Sequence, residues 1–223
     1  MQRPTGVLLD VDGTLVDSND MHANAWVKAL AEAGVPAEFA TVRRLIGKGG
    51  DKLLPDVAGI DAESEKGKAI SKRRGEIFEE EYLPKLKPTP GAKELLARMA
   101  KEGLKLAVAS SSDKDQLESL LTVCGADAFI EASTSSDDAE NSKPDPDIVH
   151  AALEQLGHPP ERVILLGDTP YDVEASLKAG IRVVALRCGG WGDADPEGAV
   201  QIYDDPADLL ARFDDSPFAV GRS

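Results

Sequence analysis

With 223 residues the chain can bury a sizeable core, as one large domain or two small ones. Its 42% hydrophobic content is ordinary for a soluble protein, although only 4% is aromatic. A formal net charge of −15 argues against nucleic acid or an anionic membrane as partner, so any phosphorylated ligand must be held by local positive charge.

The first element is Gly6–Leu9, a short apolar run that reads as a strand buried on both faces, as in a parallel sheet. It runs into Asp10, then Asp12 two residues on, then Gly13. Two carboxylates this close repel unless a cation or a shared proton lies between them, which brings a hard, oxygen-seeking ion such as Mg²⁺ into consideration. A strand followed by an Asp-Gly turn is the plain alternative. Residues 18–86 then contain almost no strand-like run. Ser18 or Asn19 can cap a helix with Met21, Ala25, Trp26, Leu30 and Ala33 at helical spacing, stopped by Gly34-Val35-Pro36. A second helix is expected from about Ala37 to Ile46, broken at Gly47–Gly50. A third carries Leu53, Leu54 and Val57, and a long charged one spans about Ala62 to Tyr82. Leu83–Pro88 reads as a return linker. The pattern predicts residues 1–17 and 87–223 as a core and 18–86 as an inserted helical domain.

From Thr89 helices and strands alternate. Thr89-Pro90 reads as a helix start. Lys105–Ala109 is a strand ending in Ser110-Ser111-Ser112. A helix from about Lys114 to Val123 ends at Gly125, and Ala128–Ile130 is expected as a short strand. Asp145 and Pro146 look like the start of the next helix. Arg162–Gly167 is the clearest buried strand and ends at Asp168. Thr169-Pro170 opens another helix, which stops at Gly180, and Arg182–Leu186 is one more strand. Residues 214–223 look frayed. Strands separated by helices imply βαβ units and a largely parallel, Rossmann-like α/β sheet. The two cysteines, Cys124 and Cys188, lack CxxC spacing and suit buried thiols in a reducing, cytoplasmic setting. No basic-then-apolar leader pattern is present, and no apolar run approaches the ~18 residues of a membrane span.

Polar groups fall at successive strand ends or on core loops: Asp10 and Asp12, Ser110, Lys143, and Asp168 with Asp172. In that order, DVDGT from Asp10, Ser110, KPDPD from Lys143 and GDTPYD from Gly167 resemble the four motifs of the haloacid dehalogenase-like superfamily. The KPDPD and GDTPYD forms are those of its phosphoglycolate phosphatase-like and β-phosphoglucomutase-like branch, whose helical cap lies between the first two motifs. The resemblance implies a Mg²⁺-dependent phosphatase of a small phosphorylated metabolite, working through an aspartyl phosphate. Asp10 would be the nucleophile and Asp12 the acid and base. Asp10, Asp168 and the Asp12 carbonyl would hold the metal, with Asp172 ligating it or orienting a water. Lys143 would balance phosphate charge, and Ser110 with nearby N–H groups would bond the transferring oxygens. Gly13 and Ser111, together with His22, Arg44 and Lys48 of the helical insertion, are candidate substrate-binding residues.

Plainer roles stand beside these. Ser110–Ser112 suit a turn and a helix cap, with Ser112 or Asp113 as the cap. Asp172 suits a helix-dipole partner. Arg43, Arg44 and Lys48 suit a charged face, and Trp191 a loop packing anchor. His22 and Trp26 match, by spacing, a His and a Trp of the β-phosphoglucomutases, whereas the glycine loop at Ile46–Gly50 departs from their arginine-containing loop. Hydrolysis is therefore the favoured reading. A sugar-phosphate mutase is second, and a non-catalytic binding protein on the same fold is third.

Overall fold

A computed structural model describes residues 3–192 and 195–219. The chain divides into two compact units, Met1–Asp17 with Lys87–Ser223, and Ser18–Leu86. No helix among the described residues is long and apolar enough to cross a membrane.

The discontinuous unit is built on a six-stranded sheet, all parallel, in the order β3-β2-β1-β4-β5-β6. The strands are β1 (Gly6–Leu9), β2 (Lys105–Ala109), β3 (Ala132–Thr134), β4 (Val163–Gly167), β5 (Arg182–Leu186) and β6 (Gln201–Tyr203). β1 is flanked on both sides, Gly6–Leu9 registering with Lys105–Val108 and with Val163–Leu166. That position explains its unbroken apolar run: every side chain meets a covered face. The unit's helices are α5 (Ala92–Lys101), α6 (Lys114–Cys124), α7 (Asp147–Leu156), α8 (Pro170–Lys178) and α9 (Pro206–Ala211). On one face Ile148, Val149, Ala152 and Leu153 of α7 pack with Leu8, Ala107, Leu165 and Val183 of the sheet. The chain leaves and re-enters this unit through neighbouring backbone: the Asp17 N–H donates to Lys87 O at 3.0 Å, and Val16 bridges to Pro88.

The other unit holds α1 (Asn19–Glu32), α2 (Phe39–Arg43), α3 (Gly50–Ala58) and α4 (Glu65–Ile77), with a π-helical turn at Phe78–Tyr82. α1 packs on α2 and α4. Ser64 caps α4 by accepting the Gly67 N–H at 3.0 Å. Gly67 is required there, because a Cβ would lie 2.2 Å from Asp61 O.

Several expected elements differ. Ala128–Ile130 is not a strand. Gly125, at φ 63°, closes α6, and a turn from Phe129 N–H to Ala126 O delays the strand to Ala132. Thr89 is not a helix cap: its N–H and hydroxyl bond Leu15 O and Thr14 O, and α5 starts after Gly91. Pro146, not Asp145, precedes α7, and Asp145 pairs with Lys178 at 3.5 Å. α2 is only five residues long, and α4 begins at Glu65 and gives way to the π-turn. The chain after Leu186 adds β6 and α9, and residues 214–219 are not frayed, with Ser216 and Phe218 buried. Residues 220–223 of the expected frayed end lie outside the described residues.

Candidate active site

The site forms where parallel strands end, the usual position for ligands in an open α/β sheet. Asp10 follows β1 directly, its N–H donating to Leu166 O at 2.9 Å. Asp168 follows β4, and Asp172 lies in the first turn of α8. One oxygen from each of these buried carboxylates lies within 4.8 Å of the others.

Lys143 answers them from the loop before α7, beside a cis bond to Pro144. Only 1% exposed, its Nζ lies 2.7 Å from Asp10 Oδ1, Ala109 O and Asp172 Oδ1. The ammonium donates hydrogen bonds to Asp10 Oδ1 and Ala109 O and forms an ion pair with Asp172 Oδ1. Burial pulls the Lys143 pKa down, but Asp10 and Asp172 outweigh it and the net shift is upward. Burial raises Asp10 to about 7; Lys143 opposes the rise, while Asp172 and Asp12 add to it. Three carboxylates around one ammonium leave negative charge in excess, and the donors are all oxygen. That chemistry suits a hard divalent cation.

The Thr14 hydroxyl lies 3.2 Å from Asp10 Oδ2 and 3.0 Å from Asp168 Oδ1, and shares its proton between two would-be ligands. Both flanking glycines leave room for carboxylates. A Cβ at Gly189 would fall 1.7 Å from Asp168 Oδ2, and one at Gly167 would fall 2.6 Å from Asp172 Cγ. Asp172 is heavily engaged: Oδ2 accepts the Thr169 N–H at 3.0 Å and its hydroxyl at 2.7 Å, a capping box at the start of α8. Its carboxylate thus both closes the capping box on Thr169 and pairs with Lys143.

Asp12, half-buried in the tight turn after Val11, accepts the Ser112 hydroxyl on Oδ2 at 2.9 Å. Ser110 Oγ accepts the Ser112 N–H at 3.1 Å. Asp113, not Ser112, caps α6 by accepting the Gln116 N–H at 2.9 Å. Ser111 Oγ is buried without a hydrogen-bond partner among the described residues. Gly13, at φ 77°, spends its N–H on Val16 O at 2.7 Å, and its carbonyl accepts the Cys188 thiol at 3.1 Å.

The discontinuous unit therefore holds Asp10, Asp12, Gly13, Ser110, Ser111, Lys143, Asp168 and Asp172. His22, Arg44 and Lys48 belong to the helical unit. There His22 is buried and stacked on Phe78 at 4.0 Å, Lys48 pairs with Asp56 at 2.6 Å, and Arg44 is exposed. Trp26 is core, with the Arg74 guanidinium 5.2 Å from its ring centre, and Trp191 packs edge-on against Tyr171. Thr14, Ser112, Gln116 and Gly189 escaped the sequence reading as site residues. Thr14 alone carried a signal, its place inside DVDGT.

A family model described as haloacid dehalogenase-like hydrolase matches residues 7–186. The chain is 33% identical over 190 residues to the Protein SUPPRESSOR OF QUENCHING 1, chloroplastic, of Arabidopsis thaliana, covering 82% of this chain and only 18% of that much longer protein. It is 30% identical over 216 residues to the phosphoglycolate phosphatase of Rhodospirillum rubrum, covering 92% of this chain and 89% of that one. A solved hydrolase from Pseudomonas syringae, 30% identical, superposes with a TM-score of 0.90 over 97% of this chain and 100% of its own.

Proposed function

Because the chain belongs to the haloacid dehalogenase-like hydrolase family, we propose that it is a Mg²⁺-dependent phosphatase of a small phosphorylated metabolite. The observation that carries this reading is the buried Asp10 carboxylate, held 2.7 Å from Lys143 beside a second strand-end carboxylate, Asp168. Asp10, Asp168 and the Asp12 carbonyl would hold the cation, which when bound screens the repulsion between carboxylate and phosphate. An Asp10 oxygen attacks phosphorus and the bond from phosphorus to the ester oxygen breaks, giving an aspartyl phosphate. Asp12 gives its proton to the departing oxygen. It then takes a proton from the water that attacks the aspartyl phosphate, which releases inorganic phosphate and restores Asp10. Lys143 stays charged throughout and fixes Asp10 in position. Asp172 acts through Lys143 rather than on the phosphate. Ser110 and the N–H groups of its loop bond the transferring oxygens. The choice of metabolite is assigned to residues 18–86, with His22, Arg44 and Lys48 as candidates.

The test is phosphate release from a panel of phosphorylated metabolites with Mg²⁺. The name of the Rhodospirillum rubrum relative puts 2-phosphoglycolate in that panel. Turnover of at least one compound, lost with chelator, is expected. Formation of glucose 6-phosphate from β-glucose 1-phosphate faster than phosphate release would replace the hydrolase with a mutase. No turnover of any compound would leave a binding protein.

A further inference from the structure

Asp12 is supported by a relay that its proposed role does not by itself require. Its Oδ2 accepts the Ser112 hydroxyl at 2.9 Å, and Ser112 Oγ in turn accepts the Gln116 side-chain amide, Nε2, at 2.8 Å. Gln116 lies in the first turn of α6 and is 3% exposed; Ser112 is 8% exposed. A buried glutamine is costly unless its polar atoms are used, and here a donor is spent on a serine that needs no help to cap the helix. Asp113 already does that. The polarity of the chain is fixed by chemistry. An amide N–H can only donate, so Ser112 receives from Gln116 and must direct its own single proton elsewhere, to Asp12. α6 is a regular helix of about three turns, whereas Asp12 sits in the turn that follows β1. The relay therefore ties a carboxylate of that turn to the helix.

We propose that Gln116 and Ser112 are positioning residues which orient the Asp12 carboxylate for proton transfer to the leaving oxygen. The proposal rests on the phosphatase reading above. An acid 1 Å out of place loses much of its effect, because proton transfer demands hydrogen-bond reach. The loss should appear only where the leaving group needs the proton.

The experiment compares two esters of nearly the same shape, phenyl phosphate and 4-nitrophenyl phosphate. Phenolate leaves poorly without protonation; nitrophenolate leaves readily. The quantity read is kcat/KM, which reports the first phosphoryl transfer, in wild type, Gln116→Met and Gln116→Glu. Gln116→Glu keeps the shape but accepts where the amide donated, so it tests the polarity of the relay even if Gln116→Met folds poorly. The ratio of kcat/KM between the two esters should shift tenfold or more against phenyl phosphate in both variants. Ser112→Thr, which keeps the hydroxyl, should restore the wild-type ratio where Ser112→Ala does not. Equal losses on both esters, or none, would overturn the positioning role while leaving the phosphatase reading intact. Release of phosphate by wild type from neither ester and from no metabolite of the panel above would overturn both.

Discussion

In the proposed reaction Asp10 must be buried, charged and nucleophilic at once, and its surroundings oppose the second demand. Burial raises its carboxyl from the ordinary 3.8 to about 7, with Asp172 and Asp12 adding to the shift and Lys143 working against it. Between about pH 4 and 7 the folded, metal-free protein therefore retains a proton there that the unfolded chain has already released. Since the folded pKa is the higher one, this group's contribution to stability is greatest below about pH 4, declines as pH rises, and levels off above about 7. Asp10→Asn has no such proton. In chelator, the melting temperature of the variant relative to wild type should rise steadily from pH 4 to 7, and a flat difference would rule the effect out. The same variant should lose turnover roughly 10⁴-fold or more, since an amide forms no acyl phosphate; phosphate release by the purified protein measures it. Gly189 concerns the neighbouring carboxylate. A methyl group there must displace Asp168, so Gly189→Ala should weaken Mg²⁺ binding ~10–100-fold, the cost usual for disturbing what supports a ligand. Calorimetric titration with Mg²⁺ checks it, and an unchanged affinity would remove Asp168 from the proposed metal set.

Among the elements, α5 shows how a local feature escapes the sequence. Thr89-Pro90 has the composition of a helix start, yet Thr89 is drawn instead to Thr14 O and Leu15 O in the first loop, and Gly91 takes the cap at φ 75°. A Cβ on Gly91 would also lie 2.7 Å from the Ala207 backbone of α9. Gly91→Ala should therefore destabilise the protein by ~1–3 kcal/mol, read as a lower urea midpoint. A midpoint within error of wild type would show that α9 yields easily. The strands β1, β2, β4 and β5 were legible because each is a run of apolar residues closed by a polar strand end. β3 and β6 were not, being three residues each and partly exposed at or near the sheet edges. The same contrast divides the site. Asp10 and Asp168 could be placed because charge next to an apolar strand is conspicuous, and Lys143 because it opens the KPDPD motif. Ser112 and Gln116 could not, because short polar residues near a helix start have an ordinary use as caps, and only the geometry shows that Asp113 already has that task.

At the scale of the whole molecule, an insertion whose two ends are held side by side by backbone bonds, Asp17 N–H to Lys87 O and Thr89 N–H to Leu15 O, is separable in principle. Replacing residues 18–86 by a short Gly-Ser link should leave the discontinuous unit able to unfold cooperatively and to bind Mg²⁺, as domain insertions at close-set ends generally permit. Loss of a cooperative melt would show that residues 18–86 contribute to the core's stability. The chain order of the sheet carries a further meaning when the protein is considered in time. β1 is made before either of its partners, Lys105–Val108 on one side and Val163–Leu166 on the other. Until Val163 leaves the ribosome, the strand that leads into Asp10 has only one neighbour, and its second edge stays open. Residues 18–86, rich in local helical contacts, can fold meanwhile and shorten the loop that must close. Nascent chains arrested before residue 163 should accordingly yield a protease-resistant helical fragment while residues 6–9 remain cleavable; a strand synthesised ahead of both its partners would be among the last to be secured.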